Sequence, residues 1–250
     1  MALPRRELLR GVLGSTASLL AAGGLAAAPA AAAGPSADRA LRRALTACRP
    51  QGEPLQALLA GNRRFAEAWQ ASAGELASAE RGARMAAIWQ DTCQLDPEAL
   101  ARGQRPWAAI LACADSRVAP EWIFDLGPGE LFEARSAGNT AFGAGIASLE
   151  YAVQALEVPL IAVMGHQACG AVTAAMADRP LTPLLEELVQ PIRASLRPGD
   201  DLSQAIQGHA RAAARQLTER SALLAEAVER GRLRIQPLYF SLETGLVTAI

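Results

Sequence analysis

The sequence predicts an α/β fold: a central, mainly parallel β-sheet flanked by helices, with helices leading the chain and a strand pair closing it. Three observations carry this expectation. Residues 107–113 (WAAILAC) and 159–165 (PLIAVMG) are uninterrupted apolar runs of strand length, the pattern of strands buried on both faces of a parallel sheet. Between them, residues 145–156 (GIASLEYAVQAL) place Ile146, Leu149, Val153 and Leu156 on one helical stripe. Parallel neighbours need such a crossover, and its expected hand is right.

The elements follow in chain order. Residues 1–33 read as an export signal and not as part of the fold. Arg5 and Arg6 precede a weakly apolar stretch interrupted by Gly14, Gly23 and Gly24, and residues 30–33 are small enough for cleavage. The paired arginines and modest hydrophobicity favour a twin-arginine route to the periplasm, although PRRELLRG lacks the aromatic residue that often follows the pair. Gly and Ser are too frequent there for a good spanning helix, so no stable membrane insertion is expected after cleavage.

Residues 34–100 form a helical segment of two or three helices, with interruptions at Pro50, Gly52, Gly61 and Gly74. Within it, residues 54–65 (PLQALLAGNRRF) place Leu55, Leu58 and Leu59 at helical spacing, with Asn62 to Phe65 as the exit. Residues 101–250 are expected to form the α/β core, and 34–250 to be one domain. A shorter strand is predicted at 130–135 after the turn signal at 127–129. Residues 183–196 and 202–230 are helical, and 234–250 read as two strands joined near Glu243, Thr244 and Gly245.

At 250 residues, 51% apolar and 20% charged, the chain can bury one sizeable core. Its formal net charge of -1, from 24 basic and 25 acidic residues, provides no field to attract nucleic acid. Four cysteines, Cys48, Cys93, Cys113 and Cys169, could form two disulfides, but a chain this long does not depend on them.

Two of these cysteines belong to a more specific pattern. Cys113 ends the first buried run, in CADSR, and His166 ends the second, in GHQAC. Carboxyl ends of adjacent parallel strands share a crevice, where ligands bind. Cys169 lies three residues beyond His166, so one turn can offer an imidazole and a thiolate to one ion. Two thiolates and an imidazole form a three-ligand zinc set with an open fourth position, the arrangement of catalytic sites. A Cys113–Cys169 disulfide is the competing account in an exported protein, but it would leave His166, Asp115 and Arg117 without a purpose.

Asp115 and Arg117 follow the first ligand at two-residue steps. The carboxylate can ligate the ion or accept a hydrogen bond from its water. Arginine decides between these roles by holding the carboxylate in a bidentate fork. Two thiolates also cancel the charge of a zinc ion, so its water is acidified less and activity should rise toward alkaline pH. The only other histidine, His209, lies on a predicted helix and is assigned a surface or helix-face role.

From Gln104 to Val172 the chain resembles the β-class carbonic anhydrases: CADSRVAPE, PGELF, AGN, SLEYAV and GHQACGAV occur in that order at similar separations. The 55–65 helix and the closing LYFSLETGLV are similar less strongly. The resemblance implies reversible hydration of carbon dioxide to bicarbonate and a proton, with one zinc per chain on Cys113, His166 and Cys169. It implies an Asp115–Arg117 catalytic dyad and a homodimer or higher homo-oligomer. By position, Gln104 matches a substrate-binding glutamine, and Val118, Phe132, Ala137 and Tyr151 match the apolar wall of the pocket. Bicarbonate-regulated members carry a tryptophan three residues before the first cysteine; Ile110 stands there, which implies the plant-like, open-site subtype.

Gln167, Ser136 and Glu133 depart from the usual pattern, and Glu133 and Arg135 share a strand face and can pair. The alternatives are a carbonyl sulfide or carbon disulfide hydrolase on the same scaffold, and a non-catalytic zinc-binding or bicarbonate-sensing protein.

Overall fold

A computed structural model describes residues 35–90, 92–177 and 179–250; the export signal expected over 1–33 lies outside the described residues. Five strands form one sheet: β1 (Ala108–Cys113), β2 (Leu131–Ser136), β3 (Leu160–His166), β4 (Arg234–Phe240) and β5 (Val247–Ala249), in the order β2-β1-β3-β4-β5. The first four are parallel and β5 returns antiparallel to β4, as expected.

Every residue of β1 and β3 is buried, because helices cover both faces. On one face Leu111, Ile161 and Val163 pack with Ile146, Leu149 and Val153 of helix α6 (Gly143–Gln154). Leu217 of α9 (Leu202–Arg220) and Leu224 of α10 (Ala222–Glu229) join them. On the other face Ile110, Ala162 and Met164 pack with Leu55, Leu58 and Phe65 of α2 (Pro54–Ala71). Each such aliphatic side chain contributes about 2 kcal/mol by leaving water. The strand ends are thus held rigidly.

The leading segment contains α1 (Pro35–Leu45), α2, α3 (Ser78–Ala87), a 3-10 turn at Ile88–Gln90 and the short α4 (Pro97–Leu100), one helix more than expected. Helix α2 begins where the sequence predicts, with Pro54 in its first turn and the Glu53 carboxylate accepting from the amide of Gln56. It does not exit at residues 62–65 but continues to Ala71. Asn62 is buried in mid-helix because its side chain serves other elements: Nδ2 donates to the carbonyls of Ile123 and Gly245, and Oδ1 accepts from the amide of Val247. One residue earlier, a Cβ on Gly61 would stand 1.9 Å from the carbonyl oxygen of Phe124, so only glycine fits.

A short α5 (Pro120–Ile123) follows β1, α8 (Pro183–Arg193) is the helix expected over 183–196, and the helix expected over 202–230 is two helices. Ser221 breaks it with extended backbone, and its hydroxyl accepts from the amide of Leu224 and donates to Glu150. Pro35–Ile250 forms one compact unit. Cys48 and Cys93, left open by sequence, are joined in a disulfide. No helix among the described residues is long and apolar enough to cross a membrane.

Candidate metal centre

Cys113 and His166 end adjacent parallel strands, and Cys169 caps the N-terminus of α7 (Gly170–Met176). Their ligand atoms all lie within 4.8 Å of one another, and all three residues are buried. The two sulfurs are 4.0 Å apart and unbonded, so the disulfide alternative is excluded. Two sulfurs on one tetrahedral zinc stand about 3.8 Å apart. His166 completes the fit: Nδ1 lies 3.0 Å from the carbonyl of Gln167, which can only accept, so Nδ1 carries the proton. Nε2 therefore presents its lone pair, buried and without a hydrogen-bond partner. A buried polar atom left bare beside two thiols is what a metal-ligand set requires.

The thiols are electrostatically unequal. The hydrogen bond from Cys169 pulls the Cys113 thiol down to about 4, against the opposing effect of burial, with the neighbouring imidazole of His166 and the amides of Gly138 and Asp115 acting in the same direction. The same contact, together with burial, pushes the Cys169 thiol up. A metal ion bound between the two sulfurs would displace their thiol protons.

Arg117 holds Asp115 in a fork. Nε and one terminal nitrogen donate to separate carboxylate oxygens at 2.9 and 2.7 Å, and the Arg117 amide donates to Oδ1 at 2.9 Å. These bonds keep the Asp115 carboxyl well below the usual range. The same terminal nitrogen also donates to the carbonyl of Ala168 at 3.1 Å, so the dyad braces the loop between His166 and Cys169. Asp115 Oδ2 stands 3.8 Å from His166 Nε2.

Two supports escaped the sequence. Arg135 donates to the carbonyls of Cys113, Asp115 and Val118, fixing the whole ligand loop, and it also pairs with Glu133 at 3.7 Å as anticipated. An arginine inside a strand beside the ligand strand was the available signal. The Gly138 amide donates to Cys113 Sγ at 3.2 Å, and a Cβ on Gly138 would meet Ile192 at 2.7 Å; no local pattern announces that bond. His209 lies on helix α9 as expected, but it is fully buried and not at the surface, because Nε2 serves the carbonyl of Gly138.

The predicted pocket residues fall into two groups. Val118 is buried on the ligand loop, and Ala137 is half-buried between Ser136, which pairs with Cys113, and Gly138. Phe132 pairs instead with Ala109, four residues back along β1 and therefore about 13 Å from Cys113. Its ring is 6.2 Å from that of Tyr151, and Tyr151 shares a hollow with Gln104. Within one chain these three do not meet the ligand cluster.

Comparison with known proteins agrees with this geometry. Residues 108–247 match the family model described as carbonic anhydrase. Carbonic anhydrase 2 of Mycobacterium tuberculosis is 41% identical over 155 residues, spanning 58% of this chain and 75% of the relative. A Pseudomonas aeruginosa carbonic anhydrase is 33% identical over 169 residues, or 61% and 77% of the two chains. Among solved structures, a Coccomyxa β-carbonic anhydrase in complex with acetazolamide superposes with a TM-score of 0.54 at 26% identity, covering 80% of this chain and 87% of that one.

Proposed function

This chain belongs to the carbonic anhydrase family, and we propose that it catalyses the zinc-dependent, reversible hydration of carbon dioxide to bicarbonate and a proton. The observation that carries the proposal is the bare, buried Nε2 of His166 facing two thiols, with an arginine-held carboxylate 3.8 Å away. Cys113, His166 and Cys169 would hold one zinc ion per chain. Zinc bound there supplies an acidified water as nucleophile.

The remaining roles belong to the chain itself. Arg117 keeps Asp115 ionised and occupies both of its oxygens, which supports the open-site subtype over one in which the carboxylate takes the fourth ligand position. Asp115 Oδ2 then accepts a hydrogen bond from the attacking water and orients its lone pair. Val118 and Ala137 form the near apolar wall for carbon dioxide. Gln104, Phe132 and Tyr151, gathered elsewhere in the chain, would complete the pocket from a second copy in a homodimer or a higher assembly built from it.

Export to the periplasm by a twin-arginine signal is part of the same reading. It draws on Arg5 and Arg6 and on the Cys48–Cys93 disulfide, a bond that persists in oxidising compartments. Metal loading before export would protect the thiols of Cys113 and Cys169.

Stopped-flow hydration assays on purified protein, with metal analysis, test the function. About one zinc per chain is expected, lost in Cys113→Ser, with hydration activity rising toward alkaline pH. A zinc-loaded wild type inactive on carbon dioxide but active on carbonyl sulfide or carbon disulfide would replace the proposal with that hydrolase activity.

A further inference from the structure

We infer that Gln167 is a positioning residue that couples the orientation of the His166 imidazole to the closing turn of the chain, residues 241–245. The inference rests on the metal reading above and concerns what fixes the ligand.

The His166 ring takes its tautomer from a single bond, Nδ1–H to the Gln167 carbonyl at 3.0 Å. That carbonyl can do this only if the peptide plane after Gln167 is held, and it is held on every side. The Gln167 amide donates to the carbonyl of Phe240 at 2.8 Å, extending the contact between β3 and β4 by one residue. Its side-chain Oε1 accepts from Ser241 Oγ at 3.2 Å and from the amide of Glu243 at 3.0 Å. The following residue, Ala168, is in the left-handed region with φ of 55°, and its carbonyl is taken by Arg117. A non-glycine residue does not hold that conformation unless its surroundings impose it.

The turn that receives Gln167 is itself anchored. The Gly245 amide donates to the Ser241 carbonyl at 2.9 Å, and the Gly245 carbonyl accepts from the buried Asn62 at 2.9 Å. A chain of bonds therefore runs from the core helix α2 through the closing turn and the Gln167 side chain to the imidazole. Both donors that meet Oε1 require an acceptor at that distance along the side chain. Glutamine and glutamate supply one; an apolar residue of equal length does not. Histidine ligands are oriented by such outer partners, and losing one typically weakens metal binding by about 10- to 100-fold.

The test compares the cobalt(II) affinity of metal-free protein, by chelator competition, and the visible spectrum of the cobalt form across Gln167→Met, Gln167→Glu and Ser241→Ala. Gln167→Met is expected to bind cobalt about 10-fold more weakly with an altered spectrum. Ser241→Ala should shift both readouts in the same direction, and Gln167→Glu should restore wild-type affinity and spectrum. The thermal midpoint of the metal-free protein should stay near wild type in all three, which a purely structural role would not allow. Wild-type affinity and spectrum in Gln167→Met, or no rescue by glutamate, would overturn the inference. If Gln167→Met does not fold, Ser241→Ala decides in the same way. Wild-type protein that binds no cobalt would overturn the metal reading as well, whereas tight wild-type binding with indifferent variants would overturn this inference alone.

Discussion

His209 and Gly138 lie 71 residues apart, yet His209 Nε2 donates to the carbonyl of Gly138 at 2.9 Å, while the amide of the same glycine donates to Cys113 Sγ at 3.2 Å. A buried histidine on α9 thus fixes the residue that feeds a hydrogen bond to a thiol of the candidate metal cluster. Since a carbonyl can only accept, a proton sits on Nε2, and Nδ1 lies 3.1 Å from the Ser195 hydroxyl.

This arrangement predicts acid sensitivity. Burial holds the folded His209 near pKa 4, below its ordinary 6.5, despite the Gly138 bond. Between those values the unfolded chain binds the extra proton, so stability should fall as pH drops from about 6.5 to 4, by about 3 kcal/mol in total, and be indifferent to this group above pH 7. Urea unfolding of His209→Gln, whose amide can still serve Gly138, should show a flatter pH dependence in that window. An unchanged slope would remove His209 from the acid response.

Asp115 carries the prediction most specific to catalysis. Asp115→Asn keeps the shape but loses the charge that Arg117 forks and the acceptor on one side. Hydration turnover should fall by about 100-fold or more, with zinc content unchanged because Asp115 is not among the three clustered ligands. Arg117→Lys should fall between the two, since an ammonium cannot form the two parallel bonds. A zinc-loaded Asp115→Asn enzyme with wild-type turnover would mean that the dyad only braces the loop.

Glu133 predicts the opposite pH sign. Burial, then the hydrogen bond and charge of Glu121, push its carboxyl up to about 8, with Arg135 opposing; Oε1 is buried without a partner. A folded pKa above the unfolded value of 4.5 means that stability present below pH 4.5 is lost as pH rises through 8. Glu133→Gln should therefore gain over wild type as pH rises from about 4.5 to 8, by up to about 5 kcal/mol at pH 9. Equal unfolding free energies at pH 5 and pH 9 in both proteins would show that Glu133 ionises without cost.

What the sequence disclosed follows a physical division. Cys113 and His166 were legible because each ends an all-apolar run, and a run buried on both faces has one way to enter a parallel sheet. Cys169 was legible through its three-residue spacing from His166. The Arg135 contacts, the Gly138 amide and the His209 and Gln167 bonds were not, since each joins segments 17 or more residues apart. Polar groups satisfied by distant backbone leave no periodic trace. The continuation of α2 past Phe65 was missed for the same reason: Asn62 reads as a helix exit until its partners at Ile123, Gly245 and Val247 are known.

The Cys48–Cys93 disulfide gives the last prediction. It ties the turn after α1 to the segment before α4 across 45 residues, and a closed loop of that size removes enough freedom from the unfolded chain to stabilise the fold by about 4 kcal/mol. Neither cysteine belongs to the metal cluster. Cys48→Ala combined with Cys93→Ala should therefore lower unfolding free energy by about 3 to 4 kcal/mol while leaving zinc content and turnover unchanged. In denaturant with a chelator, oxidised wild type should titrate as two free thiols, Cys113 and Cys169, and as all four after reduction. Four thiols before reduction would show that the bridge does not form. A double variant that loses zinc along with stability would show that the leading helices hold the metal centre in place.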